Sequence, residues 1–153
     1  MRVLIAPDGF GGTMTAEQAA RAIAAGWSAR RPGDELVTRP LSDGGPGFVD
    51  VLAAALDGAT THLVEVTGPL GEPVDAQWLE HDGTAYLESA QACGLALVPE
   101  DRRDTGRSTT RGVGELLLAA HAHGIRRAVV GLGGTATTDG GAGLFAALGA
   151  VPL

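Results

Sequence analysis

Three aspartates stand directly beside glycine turns: Asp8 before Gly9, Asp43 before Gly44 and Gly45, and Asp139 before Gly140 and Gly141. A carboxylate in such a place can cap a helix, hold magnesium against phosphate, or accept a proton. The third lies in the densest stretch of the chain, from Val129 to Phe145. There Gly133 and Gly134 follow an apolar run, and Thr135, Thr137 and Thr138 lead into Asp139. Gly140, Gly141 and Gly143 then permit close approach at the start of an apolar helix running to about Leu148. Glycines unshield backbone N–H groups and a helix N-terminus carries partial positive charge, so this turn suits phosphate or carboxylate. A tight strand-to-helix loop without a ligand is the plainer alternative. The loose dinucleotide pattern Gly131-x-Gly133-x-x-Ala136 is weak, because the acidic residue wanted about 20 positions on is missing.

The elements that must position these groups follow a repeating order. Arg2–Ala6 reads as a first, continuously apolar strand, and Thr15-x-x-Gln18 is a capping box opening a helix over 16–29. Glu35–Arg39 is a second strand, and Phe48–Leu56 a second helix. Strand, glycine-rich loop and helix, repeated, predict an α/β fold: a mostly parallel, Rossmann-like sheet with flanking helices. Asp8, Asp43 and Asp139 then all fall at the carboxyl ends of strands, where such sheets bind ligands. Residues 1–58 and 107–153 supply the parallel segments, with Val3, Ile5, Val37, Val129 and Val130 expected in one buried sheet. Between them, 62–67, 74–81 and 84–88 read as an antiparallel excursion whose second turn, Asp82-Gly83, is a strong hairpin signal. Thr110–His123 is a third helix, leading to the strand Arg127–Leu132.

Composition narrows the chemistry. At 153 residues and 44% hydrophobic the chain is one domain's worth, and a net charge of −7 argues against a nucleic-acid surface. All 11 basic residues are arginine. A lysine-dependent phosphate loop and Schiff-base chemistry are thereby excluded. The single Cys93 cannot form an internal disulfide and reads as a small buried residue, which fits a reducing compartment. Met1–Ala6 is too short for a signal-peptide core and nothing reaches transmembrane length, so no membrane partner is expected and the location read is cytoplasmic. His121 and His123, two apart on a helix, cannot chelate one metal. Arg102, Arg103, Arg107 and Arg111 read as a solvated surface run ahead of an anion clamp.

Taken together, several strings resemble the bacterial glycerate kinases of the two-domain α/β type. They are Ala6-Pro-Asp-Gly-Phe-Gly-Gly-Thr, Leu41-Ser-Asp-Gly-Gly-Pro-Gly, Val66-Thr-Gly-Pro-Leu-Gly-Glu-Pro, Glu88-Ser-Ala-Gln-Ala-Cys-Gly, Ser108-Thr-Thr-Arg-Gly-Val-Gly-Glu and Gly131-Leu-Gly-Gly-Thr-Ala-Thr-Thr-Asp-Gly-Gly. The resemblance implies transfer of phosphoryl from ATP, with Mg2+, to a hydroxyl of D-glycerate. It assigns catalysis to Asp8, Asp43 and Asp139, and Mg2+ to Asp43 and Asp139. Substrate or nucleotide binding falls to Gly44, Gly45, Glu88, Gly133, Gly134, Thr135, Thr137, Gly140 and Gly141. Members of that family are more than twice as long, so residues 1–153 correspond to an N-terminal portion whose C-terminal half is absent. With no lysine and half the usual cleft, the isolated chain is expected to show little turnover. It is then either a piece completed by a missing half or by self-association, or a non-catalytic remnant or small-anion or nucleotide-binding module.

Overall fold

A computed structural model describes residues 1–150. Its first unit is a parallel strand pair, β1 (Arg2–Ile5) and β2 (Glu35–Thr38), with Arg2 opposite Glu35 and Ile5 opposite Thr38. Helix α1 (Ala16–Arg30) connects and covers them. The capping box forms as expected: Gln18 N donates to Thr15 Oγ1 at 3.2 Å and Thr15 N donates to Gln18 Oε1 at 2.9 Å. Ala16, Ala19 and Ala20 are buried, and small side chains there let the helix lie close to the strands. Asp34 fastens the far end, taking the Trp27 indole N–H at 3.0 Å and the N-terminal amine at 2.6 Å.

The second unit is a four-stranded sheet in the order β3 (Thr60–Thr67), β4 (Pro73–His81), β5 (Thr84–Glu88), β6 (Arg127–Gly131). The first two pairings are antiparallel and the last is parallel. At the β4–β5 turn, Asp82 and Gly83 both adopt positive φ, 49° and 69°, which matches the right-handed twist of the flanking strands. Alternation along β4 gives the sheet two apolar faces. Ala76 and Trp78 join Val66, Ala85 and Leu87 in a core closed by α4 (Arg111–Ala122) through Val113, Leu116 and Ala120. Leu79, also fully buried, lies outside that cluster, and α2 (Phe48–Ala55) packs against β4 and β5 with Phe48 6.5 Å from Tyr86. Burying side chains of this size contributes roughly 2 kcal/mol each.

Two shorter helices complete the frame. A helix α3 (Ser89–Cys93), absent from the sequence reading, continues straight from β5, and α5 (Ala142–Ala147) packs on α4. Gly114 permits that packing, since a Cβ there would stand 2.6 Å from the Leu144 carbonyl oxygen. No described helix is long and apolar enough to cross a membrane.

The α/β class holds, but the expected single sheet does not. The strand at Arg127–Gly131 pairs with β5 and sits at an edge, with Val129 43% exposed. Val3 and Val37 are half-buried and only Ile5 is fully enclosed. A continuous apolar run requires apolar cover; it does not specify which strand lies beside it.

Candidate active site

The carboxyl ends of β1, β2, β5 and β6 converge although they belong to two sheets. The loop after β1 meets the loop after β2 where Asp43 N donates to Asp8 Oδ2 at 3.2 Å. Each aspartate also folds its own turn: Gly9 N donates to Asp8 Oδ1 at 2.6 Å and Gly45 N to Asp43 Oδ1 at 2.9 Å. Both residues are exposed, and Asp43 Oδ2 takes no hydrogen bond from the chain among the described residues. Ser42 Oγ accepts from Gly44 N and completes the turn.

This second loop lies against the loop after β6, backbone to backbone. A Cβ on Gly133 would stand 2.7 Å from the Cα of Gly45, and one on Gly131 2.6 Å from the carbonyl oxygen of Gly44. Gly134 meets the ring of Pro46 in the same way. Gly44, Gly133 and Gly134 are thus required by the interlock of two loops, before any ligand is considered, and a side chain on Gly45 would instead crowd Asp43 Oδ1 at 3.0 Å. Beneath them sits Glu88 at the end of β5, 4% exposed, its Oε2 accepting Gly47 N at 3.0 Å and Val49 N at 3.3 Å. Burial raises its pKa, with Asp50 adding to the rise, and the bonds from Val49 and Gly47 offset part of it. Glu88 holds the start of α2, and through it the Asp43 loop. It does not line an open surface as a binding residue would.

Asp139 departs from expectation most clearly. Its Oδ1 accepts Gly141 N at 3.0 Å, and its Oδ2 accepts Thr110 N at 2.8 Å and Gly143 N at 3.1 Å, with the Thr110 hydroxyl donating to the same group. Burial works to raise its pKa, but the bonds from Thr110, Gly143 and Gly141 outweigh it and hold the carboxyl below the usual range. Ala142 N goes to the Asp139 carbonyl and Leu144 N to Thr110 Oγ1, so all four leading N–H groups of α5 are satisfied within the chain. Asp139 is therefore the clasp of the α4–α5 junction. Hydrogen bonds from the chain thus reach both Asp139 oxygens, whereas Asp43 keeps Oδ2 uncommitted among the described residues. Among the described residues, no three His, Cys, Asp or Glu side chains are arranged to hold a metal ion.

The remaining expected residues divide similarly. Thr137 is structural, its hydroxyl bonded to Ser108 O and accepting Asp139 N. Thr135 is exposed and bridges through its backbone to Gly94. Gly141 caps α5 at φ 83°, while Gly140 is exposed with open space around it. The arginine run reads as surface: Arg102 pairs with Glu72 at 2.7 Å and Arg111 with Glu115 at 2.9 Å. Cys93 is sealed in the core, its thiol pushed up to about 11 by burial and then by Asp139, which leaves it inert as a nucleophile. Thr110 was missed as a site-forming residue; its place just ahead of α4 was the available signal.

The profile of the glycerate kinase family matches residues 3–153. The chain belongs to the glycerate kinase family. A Mycobacterium tuberculosis protein without a characterised function is 50% identical over 97% of the chain and 40% of its own length. The glycerate 2-kinase of Escherichia coli K12 is 46% identical over 98% of the chain and 40% of its own length. A crystal structure described as that of a glycerate kinase 2 from Salmonella typhimurium LT2 superposes with a TM-score of 0.76 at 39% identity, covering 97% of this chain and 40% of that one. The chain thus spans about 40% of the length of the glycerate kinase family members it matches.

Proposed function

We propose that this chain supplies the part of a glycerate kinase site at which Asp8 and Asp43 face the transferring phosphoryl group, with ATP as donor and D-glycerate as acceptor. The observation that carries it is the 3.2 Å bond from Asp43 N to Asp8 Oδ2, which brings two exposed carboxylates to one mouth beside the interlocked glycine loops. In the reaction the glycerate hydroxyl loses its proton, its oxygen bonds to the γ-phosphorus, and the bond from that phosphorus to the β-phosphate bridge breaks, releasing ADP. Asp8 accepts the proton and Asp43 faces the phosphates. Exposed Thr135 and Gly140 border the same turn and leave room for the nucleotide.

Mg2+ binds through one or two carboxylates plus phosphate oxygens and water, and does not need an all-protein cage. The donor set suits that mode best at Asp43, whose Oδ2 is uncommitted; at Asp139 hydrogen bonds from the chain reach both oxygens. Bound there, the ion would neutralise phosphate charge. The reduced, buried Cys93 suits a reducing compartment such as the cytoplasm.

The test is a coupled ADP-release assay with D-glycerate. The chain alone is expected at background, and the chain mixed with the remaining length of the Escherichia coli relative is expected to turn over. Asp43→Asn should reduce that turnover at least about a hundredfold, the scale of losing charge stabilisation in a transition state. Full turnover with Asp43→Asn would refute the assignment.

A further inference from the structure

We propose that His62 and His123 form a binding site for a first-row transition-metal ion, Cu2+ ahead of Zn2+, separate from the cleft. His62 stands on β3 and His123 caps the C-terminal end of α4, the end opposite Thr110 and the Asp139 clasp. Folding brings their ring centres to 4.7 Å, with the planes 58° apart. With metal–nitrogen bonds of about 2.1 Å, two imidazoles on adjacent corners of a coordination sphere have centres roughly 4.6–5.3 Å apart. The observed spacing therefore suits one shared ion, with side-chain adjustment alone.

Both rings rest on a fixed floor. His62 lies flat on Trp78, centres 4.2 Å apart and planes within 15°, and His123 meets the same indole at 5.4 Å and 73°. Trp78 itself is buried, while His123 is exposed and His62 partly so. Glu80 Oε2 stands 3.2 Å from His62 Nε2. A carboxylate accepts, so Nε2 carries the proton and Nδ1 is left with the lone pair. Such a carboxylate–imidazole pair orients a metal-binding histidine and makes it a better ligand. Among the described residues, nothing in the chain hydrogen-bonds Nδ1 of His62 or either ring nitrogen of His123. The donor type selects the ion: imidazole suits Cu2+, Ni2+ and Zn2+, with Cu2+ held most tightly, whereas Mg2+ takes oxygen. Two protein ligands leave water to complete the sphere, in keeping with the lack of any three-ligand cluster among the described residues. A bound ion would tie the end of α4 to β3 and so stabilise the folded chain.

The indole under the site supplies the readout. In untagged Trp27→Phe protein, Trp78 is the remaining tryptophan, and its emission is followed as CuCl2 is added. Saturable one-to-one quenching is expected, reversed by EDTA and untouched by excess Mg2+. His123→Ala alters an exposed side chain and should raise the half-saturating Cu2+ concentration at least about tenfold. His121→Ala, on the same helix but pointing elsewhere, should leave it unchanged. A second measurement needs no substitution: Zn2+ added to the unaltered chain should move the ring nitrogen resonances of His62 and His123 and spare those of His81 and His121. Quenching that never saturates, full Cu2+ affinity in His123→Ala, or Zn2+ shifts centred on His81 or His121 would overturn the proposal.

Discussion

Asp139 and Glu88 are both carboxylates beside the cleft, yet their surroundings drive them in opposite directions. Asp139 gathers four donors from the ends of α4 and α5. Removing it in Asp139→Ala leaves those donors unpaired in a half-buried place, and chemical denaturation should show a loss of about 2–3 kcal/mol. Its folded pKa is depressed, so its contribution is present above the unfolded carboxylate value and disappears as pH falls through the lower folded one. Glu88 behaves in the reverse sense. Its folded pKa is raised, so the native state holds the proton more tightly than the unfolded chain does. Stability should fall as pH rises from the unfolded carboxylate value, near 4.3, through the folded one. Glu88→Gln keeps an acceptor for Gly47 and Val49 without the charge, and should flatten that part of the pH–stability curve. An unchanged curve would show that Glu88 does not titrate differently on folding.

Between elements, the two glycine loops act as one part. Gly133 meets the Cα of Gly45 where a side chain would need to be, and backbone cannot rotate out of the way as a side chain can. Gly133→Ala should therefore separate the loops after β2 and β6. The expected cost is about 2 kcal/mol or more, with loss of any nucleotide binding. Gly140→Ala is the informative contrast: φ is 61° but nothing lies within 4 Å, so only the backbone strain of about 1 kcal/mol applies. Equal destabilisation by the two substitutions would mean that the interlock is not what Gly133 is for.

Across the molecule, the central core cluster runs from Val66 to Ile125 and includes no residue of β1, α1 or β2. That first unit has a small interior of its own, Ile5 with Ala16, Ala19 and Ala20, and joins the rest through loops. Native-state hydrogen exchange should show it: amides of Ala16–Arg30 should open at lower free energy than those of β4 and β5. Identical opening free energies would instead mean a single cooperative unit. Asp8 thus follows the strand of the unit that lies outside the main core, while Asp43 stands on the loop that ties that unit to the rest.

Local chemistry made much of this legible in the chain itself. The Thr15–Gln18 box, the Asp82-Gly83 turn, the apolar spacing of the first helix and the absence of lysine are local features, so the sequence carries them in full. The glycine–aspartate turns were likewise visible as turns, and their order along the chain carried the family. Which strand neighbours which was not visible, because Arg127–Gly131 satisfies its apolar character as well beside β5 as beside β1. The roles within the cleft were hidden for a related reason. Asp43 and Asp139 stand in nearly the same local sequence, but only folding brings Thr110 and the start of α5 onto one of them and leaves an oxygen of the other uncommitted. Residues 29 apart in the chain decide that difference, through hydrogen bonds that no local pattern encodes.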